Sequence, residues 1–226
     1  MNQSPVPNSG LRDFPNEMRF RRFHHNDLPR CSEISIGAWP EIVTFAKKEE
    51  MTRTMRSYID FCQVSATWKE TACVSDQIVG FLFGRIDCEL GMIGRLRTSF
   101  GHGAVYLKLL LGLYGHVSHR LTIIRSALVD DKNIAANSPD ADGEVTFFVV
   151  DSAFRGRGIG RALMDRFLEH AKSEGAGRIT VYTTDPGCNW GFYERYGFKL
   201  HASFHDNFTS FARKEEVKAL IFAVDI

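Results

Sequence analysis

The chain has 226 residues, 44% of them hydrophobic and 24% charged, a composition of ordinary globular proteins that excludes a disordered or membrane-embedded chain. With 28 basic against 27 acidic side chains the net charge is +1, without the basic excess that a phosphate backbone demands, so no nucleic-acid partner is expected. Cys31, Cys62, Cys73, Cys88 and Cys188 form an odd, scattered set with no CxxC pair and read as reduced thiols of a cytoplasmic protein.

Residues 1–15 are polar and proline-bearing, lack the basic-then-apolar layout of a signal peptide, and read as a flexible tail ahead of a single domain over 16–226. Met18 to Phe23 reads as a strand. Asn26-Asp27 followed by Leu28-Pro29 supplies a cap residue and an early proline, the signature of a helix start, and Pro40 interrupts that helical region. A second helix is expected over Thr52 to Cys62. Thr67 to Val74 and Ile78 to Asp87 then read as a hairpin about Ser75-Asp76-Gln77.

From Gly91 to Tyr114 apolar residues recur at helical spacing, with glycines at 101, 103 and 112 breaking the pattern. The longest apolar stretch, Ala104 to Val117, contains Lys108 and His116 and is shorter than the roughly 20 residues of a membrane span, so it reads as a buried or partner-facing helix and no membrane partner is expected. Asp130 to Gly143, rich in Asp, Asn, Ala and Ser, reads as an exposed loop.

The last third is the most regular. Glu144 to Val150 is a strand, Arg155 to Gly160 a glycine-rich turn, and Arg161 to Glu174 an amphipathic helix with Leu163, Phe167, Leu168 and Ala171 on its apolar side. Arg178 to Thr183 is another strand, so this strand, helix, strand unit favours a right-handed crossover and parallel pairing. Asn189 to Tyr196 reads as a short helix, followed by strands near Phe198 to Phe204 and Lys218 to Val224.

The turn Arg155-Gly156-Arg157-Gly158-Ile159-Gly160 carries the chemistry. Three glycines in five residues let successive N–H groups approach an anion, and the helix start adds its unpaired donors and positive dipole end. Gly160 is followed by Arg161-Ala162 and not by Lys-Ser/Thr, which excludes a mononucleotide P-loop. A dinucleotide fingerprint needs G-x-G-x-x-G where this chain has G-x-G-x-G. With Asp185 after the next strand as a candidate ribose-binding acid, a dinucleotide-binding oxidoreductase stays open at this point.

Arg155-x-x-Gly158-x-Gly160, between a strand and a helix, resembles the Gln/Arg-x-x-Gly-x-Gly/Ala signature of the GNAT N-acetyltransferases. The run Asn189-Trp190-Gly191-Phe192-Tyr193-Glu194-Arg195-Tyr196-Gly197-Phe198 is similar to that family's FYE-x-x-GF ending. The resemblance implies an α/β (α+β) fold with a mixed, mostly antiparallel sheet flanked by helices and a splayed central strand pair that admits the pantetheine arm of acetyl-coenzyme A. It implies direct transfer to an amine acceptor, with a coenzyme A sensor without turnover as the non-catalytic alternative. By the same resemblance the backbones of Val149 and Val150 pair with the pantetheine amides, Arg155, Gly156, Arg157, Gly158, Ile159, Gly160 and Arg161 hold the pyrophosphate, and Asn189 is a further cofactor contact. Two departures stand out. The third and fourth strands, short-linked in the family, are separated here by an insertion at about 91–142, which is expected to shape the acceptor pocket or a homodimer contact. Pro186 stands where many members carry an asparagine.

A primary ammonium with a pKa of about 10.4 lies roughly three units from its neutral form at pH 7, so making it nucleophilic costs about 4 to 5 kcal/mol and a base is useful. Glu144, eleven positions before Arg155, resembles the catalytic glutamate of histone-acetylating members; the competing reading is an ion-paired strand-end carboxylate. Tyr193 matches the family tyrosine that protonates the departing thiolate, a task a phenol of pKa near 10 performs at neutral pH. His24 and His25 are an alternative source of a base. No HExxH or Cys/His ligand set is present, so no metal is expected.

Overall fold

The computed structural model describes residues 18–185 and 190–226. The expectations for the tail, for Cys188 and for Asn189 lie outside these residues. The sheet formed by the described residues has seven strands: β1 (Met18–Arg22), β2 (Trp68–Val74), β3 (Gln77–Ile86), β4 (Gly143–Val150), β5 (Arg178–Asp185), β6 (Lys199–His205) and β7 (Lys218–Asp225), in the order β1-β2-β3-β4-β5-β7-β6. All pairs are antiparallel except β4 with β5, the parallel pair that the strand, helix, strand unit requires.

That parallel pair is short. Gly143, Glu144 and Val145 pair with Ile179, Thr180 and Val181, after which β4 runs on to Val150 and β5 to Asp185 without pairing, so the two strands splay. A bulge contributes to this. The register of β3 against β4 slips between Phe83 and Gly84, leaving Thr146 as the extra residue of β4. Before the slip Val145 packs into the core beneath α5 (Ile159–Ser173); after it Phe147 and Val149 pack into the core on the other face. One inserted residue thus re-aims half a strand.

α5 lies on one face with Leu163, Met164, Phe167 and Ala171 buried against β2, β3 and β4. The other face is covered by α1 (Leu28–Ala38) and α2 (Met51–Ser65), whose Leu28, Cys31, Met55 and Ile59 are buried with Phe81 and Phe83. Gly84 sets how closely α5 approaches, because a Cβ there would lie 2.1 Å from Cε2 of the fully buried Phe167. Gly84→Ala is therefore expected to destabilise the protein by about 1–3 kcal/mol through overpacking. The check is a lower urea midpoint at an unchanged slope.

The inserted segment departs from its sequence reading. α3 (Asp87–Leu110) starts before Gly91, which breaks its geometry at φ 56° and ψ −176°. α4 (Arg120–Asn137) occupies much of the stretch read as a loop, so Asp130 to Asn137 are helical. The reason is tertiary. Both oxygens of Asp130 are used: Oδ1 accepts from the backbone N and Nδ2 of Asn207 at 2.8 and 2.7 Å, and Oδ2 from the Phe208 N–H at 2.8 Å. A further helix that the sequence reading lacked, α7 (Asn207–Arg213), is held there, with Asp206 as its cap. Val105, Leu109, Tyr114 and Val117 of the apolar run form a small core with Phe61 and Ile123, while Leu107, Leu110, Leu111 and Leu113 are exposed. No helix among the described residues is long and apolar enough to cross a membrane.

Candidate active site

The splay between β4 and β5 opens into a cavity of about 1170 Å³ that continues beneath α3 and α4. The glycine turn forms one end of it. Gly156 and Gly158 have φ of 78° and 84°, the left-handed region that side-chain-bearing residues avoid, and a Cβ on Gly156 would meet nothing within 4 Å. Gly158 caps α5 without a side-chain hydrogen bond, and no acidic residue sits in the first turn, so the helix presents its leading N–H groups and positive dipole end to the cavity. Arg155 donates through Nε to the Val150 carbonyl at 3.1 Å, tying the turn to the end of β4.

Arg155, Gly156, Gly158, Ile159, Gly160 and Arg161 all line the cavity. Arg157 does not: its guanidinium stands 5.1 Å from the centre of the Phe154 ring and donates to the Ala153 carbonyl at 3.4 Å. Val149 and Val150 line one side of the split and Val181 to Thr184 of β5 line the other. These fittings suit a pyrophosphate with an extended arm: donors and cations lie at the helix start, followed by a slot between two strand edges.

Glu144 lies on the same cavity wall, where β4 and β5 are still paired. Its Oε2 is 3.1 Å from Nη1 of Arg85, whose Nε in turn donates to Asp87 Oδ1 at 2.7 Å. Burial pushes the Glu144 carboxyl above its ordinary value near 4.5; Arg85 pulls down, Asp87 and Asp131 push up, and burial dominates. A carboxylate of raised pKa is a better proton acceptor.

Tyr193 sits on α6 (Gly191–Arg195), within reach of Phe198 and Phe222 at ring separations of 5.7 and 6.3 Å, and lines the cavity with Phe192 and Arg195. Tyr193 thus both packs among these rings and stands on the cavity wall. His24 and His25 are not on the cavity wall, and His25 Nε2 instead meets Arg56 Nη2 at 2.9 Å. Glu89, His170 and Glu174 bring metal-capable atoms within 4.8 Å of one another, but on the surface outside the cavity.

The far side of the cavity was not legible from motifs. There Tyr106 donates to Asp131 Oδ2 at 3.1 Å, Tyr182 donates to Asp206, and the His102 ring stacks on Phe61 at 4.2 Å with its Nε2 buried and unpartnered. Glu41, on the wall near Trp39, is 5% exposed; Oε1 accepts from Arg213 Nη2 at 3.1 Å, and Oε2 is buried without a partner. The one available signal was the Asp130-Asp131 pair, read as a loop marker.

A model of the acetyltransferase (GNAT) family matches residues 39–198. Glucosamine 6-phosphate N-acetyltransferase 1 of Oryza sativa subsp. japonica is 41% identical over 56 residues, which is 25% of this chain and 33% of that protein; the match thus spans about a third of the curated relative's length. A solved structure from Pyrococcus horikoshii OT3 superposes with a TM-score of 0.56 at 18% identity, covering 93% of this chain and 99% of that one. The PaiA N-acetyltransferase of Thermoplasma acidophilum, solved in complex with coenzyme A, superposes with a TM-score of 0.51 at 11% identity, covering 93% and 99%. At these identities the two structures support the fold alone.

Proposed function

The chain belongs to the acetyltransferase (GNAT) family, and from that premise we propose that it transfers the acetyl group of acetyl-coenzyme A directly to an amine. The observation that carries the reading is the cavity itself: the uncapped start of α5, the open split between β4 and β5, and Glu144 all share one wall. Glu144 takes a proton from the acceptor ammonium, the amine nitrogen bonds to the thioester carbonyl carbon, the carbon–sulfur bond breaks as Tyr193 supplies a proton to the sulfur, and the second proton that the nitrogen sheds as the amide forms restores the Tyr193 phenol. Arg155 and Arg161, with the N–H groups of the glycine turn, bind the pyrophosphate. Val149 and Val150 are assigned to the pantetheine arm.

The dinucleotide alternative needs a doubly wound parallel sheet, whereas this sheet has a single parallel pair among the described residues. A sensor without turnover has no use for a half-buried carboxylate of raised pKa beside the slot. Residues 16–226 are read as one domain, with α3 and α4 contributing the insertion's share of the cavity wall. The unpaired Cys31, Cys62, Cys73 and Cys88 favour the cytoplasm. The outer surface of α3 exposes Met92, Ile93 and Phe100 and that of α4 exposes Leu121 and Leu128, and the mass of the protein in solution tests it as a homodimer contact.

The test of cofactor binding is Gly158→Val. A β-branched residue at φ 84° is strained and puts its side chain where the pyrophosphate must approach. Acetyl-coenzyme A is expected to raise the melting temperature of the parent protein, NAD(H) is not, and the variant is expected to lose about 10-fold or more in calorimetric affinity. Equal affinity in a folded variant would remove the turn from the binding site.

A further inference from the structure

The charges on the cavity wall are segregated by element. Arg155, Arg161 and Arg195 come from the glycine turn, α5 and α6; Glu41, Asp130, Asp131 and Asp206 come from the segment after α1, from α4 and from the cap of α7. With Glu144 that makes five carboxylates, and among the described residues the lining cation beside them is Arg85, already shared between Glu144 and Asp87. Asp130 and Asp206 are committed to holding α7 and Tyr182. Two carboxylates keep an oxygen in hand. Asp131 uses Oδ2 for Tyr106, and Glu41 uses Oε1 for Arg213 while its Oε2, in a side chain more than nine-tenths buried, has no partner.

Like charges gathered in a half-buried chamber are costly unless a cation joins them. Loss of solvent raises the carboxyls of the buried Asp130 and the more exposed Asp131 as it does that of Glu144, with Asp206 adding to the rise at Asp130 and Asp130 to that at Asp131. The rings of Tyr58, Tyr106 and Tyr182 on the wall add negative faces that attract ammonium groups, and Val105, Leu109 and Ile123 provide an apolar track for methylene groups. We propose that the acceptor is an aliphatic diamine or polyamine whose reacting nitrogen lies at Glu144 and whose further ammonium groups meet the acidic wall, at Asp131 or Glu41. This deepens the acetyltransferase reading above and rests on it. The bond changes are those already given: one terminal nitrogen bonds to the acetyl carbon as the carbon–sulfur bond breaks, while the distal ammonium stays protonated.

The experiment is thiol release from acetyl-coenzyme A with 1,4-diaminobutane, spermidine, n-butylamine and O-phosphoethanolamine. The diamine is expected to exceed n-butylamine in kcat/KM by about 10-fold or more, the worth of one charge-assisted contact, and O-phosphoethanolamine to be the poorest. Asp131→Asn and Glu41→Gln are expected to narrow the diamine over n-butylamine ratio, chiefly through KM. Calorimetry of 1,4-diaminobutane and n-butylamine into the unmutated protein saturated with coenzyme A repeats the comparison without variants, and tighter diamine binding is expected. Equal use of n-butylamine, preference for O-phosphoethanolamine, or an unchanged ratio in both folded variants would overturn the proposal while leaving an acetyltransferase. Failure of acetyl-coenzyme A to bind would overturn the acetyltransferase reading and the diamine proposal together.

Discussion

Glu144→Gln is expected to lower kcat/KM near neutral pH by about 10²- to 10⁴-fold, the usual range for losing a positioned general base. The sign of the pH dependence follows from the site. A base works as its carboxylate, so activity rises as pH climbs through the Glu144 pKa, and burial holds that pKa above the ordinary value near 4.5 despite Arg85. The groups facing it are Arg85 on β3, Asp87 at the start of α3 and Asp131 on α4, so the net field leaves burial in control. The acidic limb of the kcat/KM profile is therefore expected above pH 4.5 in the parent protein and absent in the variant. Unfolding is not the expected cause of any loss, because glutamine is nearly isosteric and Arg85 keeps its 2.7 Å contact with Asp87. A variant that retains the limb would pass the role to another cavity group, such as His102, with its unpartnered Nε2, or Asp131.

What the sequence made legible divides along the range of the interactions. The glycine turn and the start of α5 are local: positive φ at Gly156 and Gly158 and the apolar spacing of α5 are written in neighbouring residues, and both are readable there. The splay of β4 from β5 was implied by family resemblance, but its contributor, the bulge at Thr146, is a register slip between strands far apart in sequence, and nothing in the run Gly143 to Val150 announces it. The acidic side of the cavity is more distant still. Asp130 and Asp131 have the composition of a loop, and only Asn207, Phe208 and Tyr106, all remote in sequence, make them helical. Glu41 follows Pro40 in a segment that reads simply as a helix break, and its burial depends on Arg213 of α7, a helix that local pattern does not announce. The glycine turn was thus local, and the splay and the acidic wall tertiary.

Tyr193→Phe is expected to lower turnover by roughly 10²-fold or more with acetyl-coenzyme A affinity kept, provided protonation of the leaving sulfur limits the rate. The substitution removes one hydroxyl and leaves the ring, and the ring is what packs: Phe192, Phe198 and Phe222 surround it at 5.5, 5.7 and 6.3 Å between centres. The fold is therefore expected to survive, with a melting temperature close to that of the parent, and a loss of rate can be assigned to the hydroxyl. A second readout separates proton donation from placement. If the hydroxyl donates to sulfur, an acetyl donor whose thiol has a lower pKa needs less help on leaving, so the gap in rate between the parent and the variant should narrow with such a donor. A gap that stays the same width with both donors would give the hydroxyl a positioning role, and parent-like turnover in the variant would leave Tyr193 as a packing residue on the wall of the cavity.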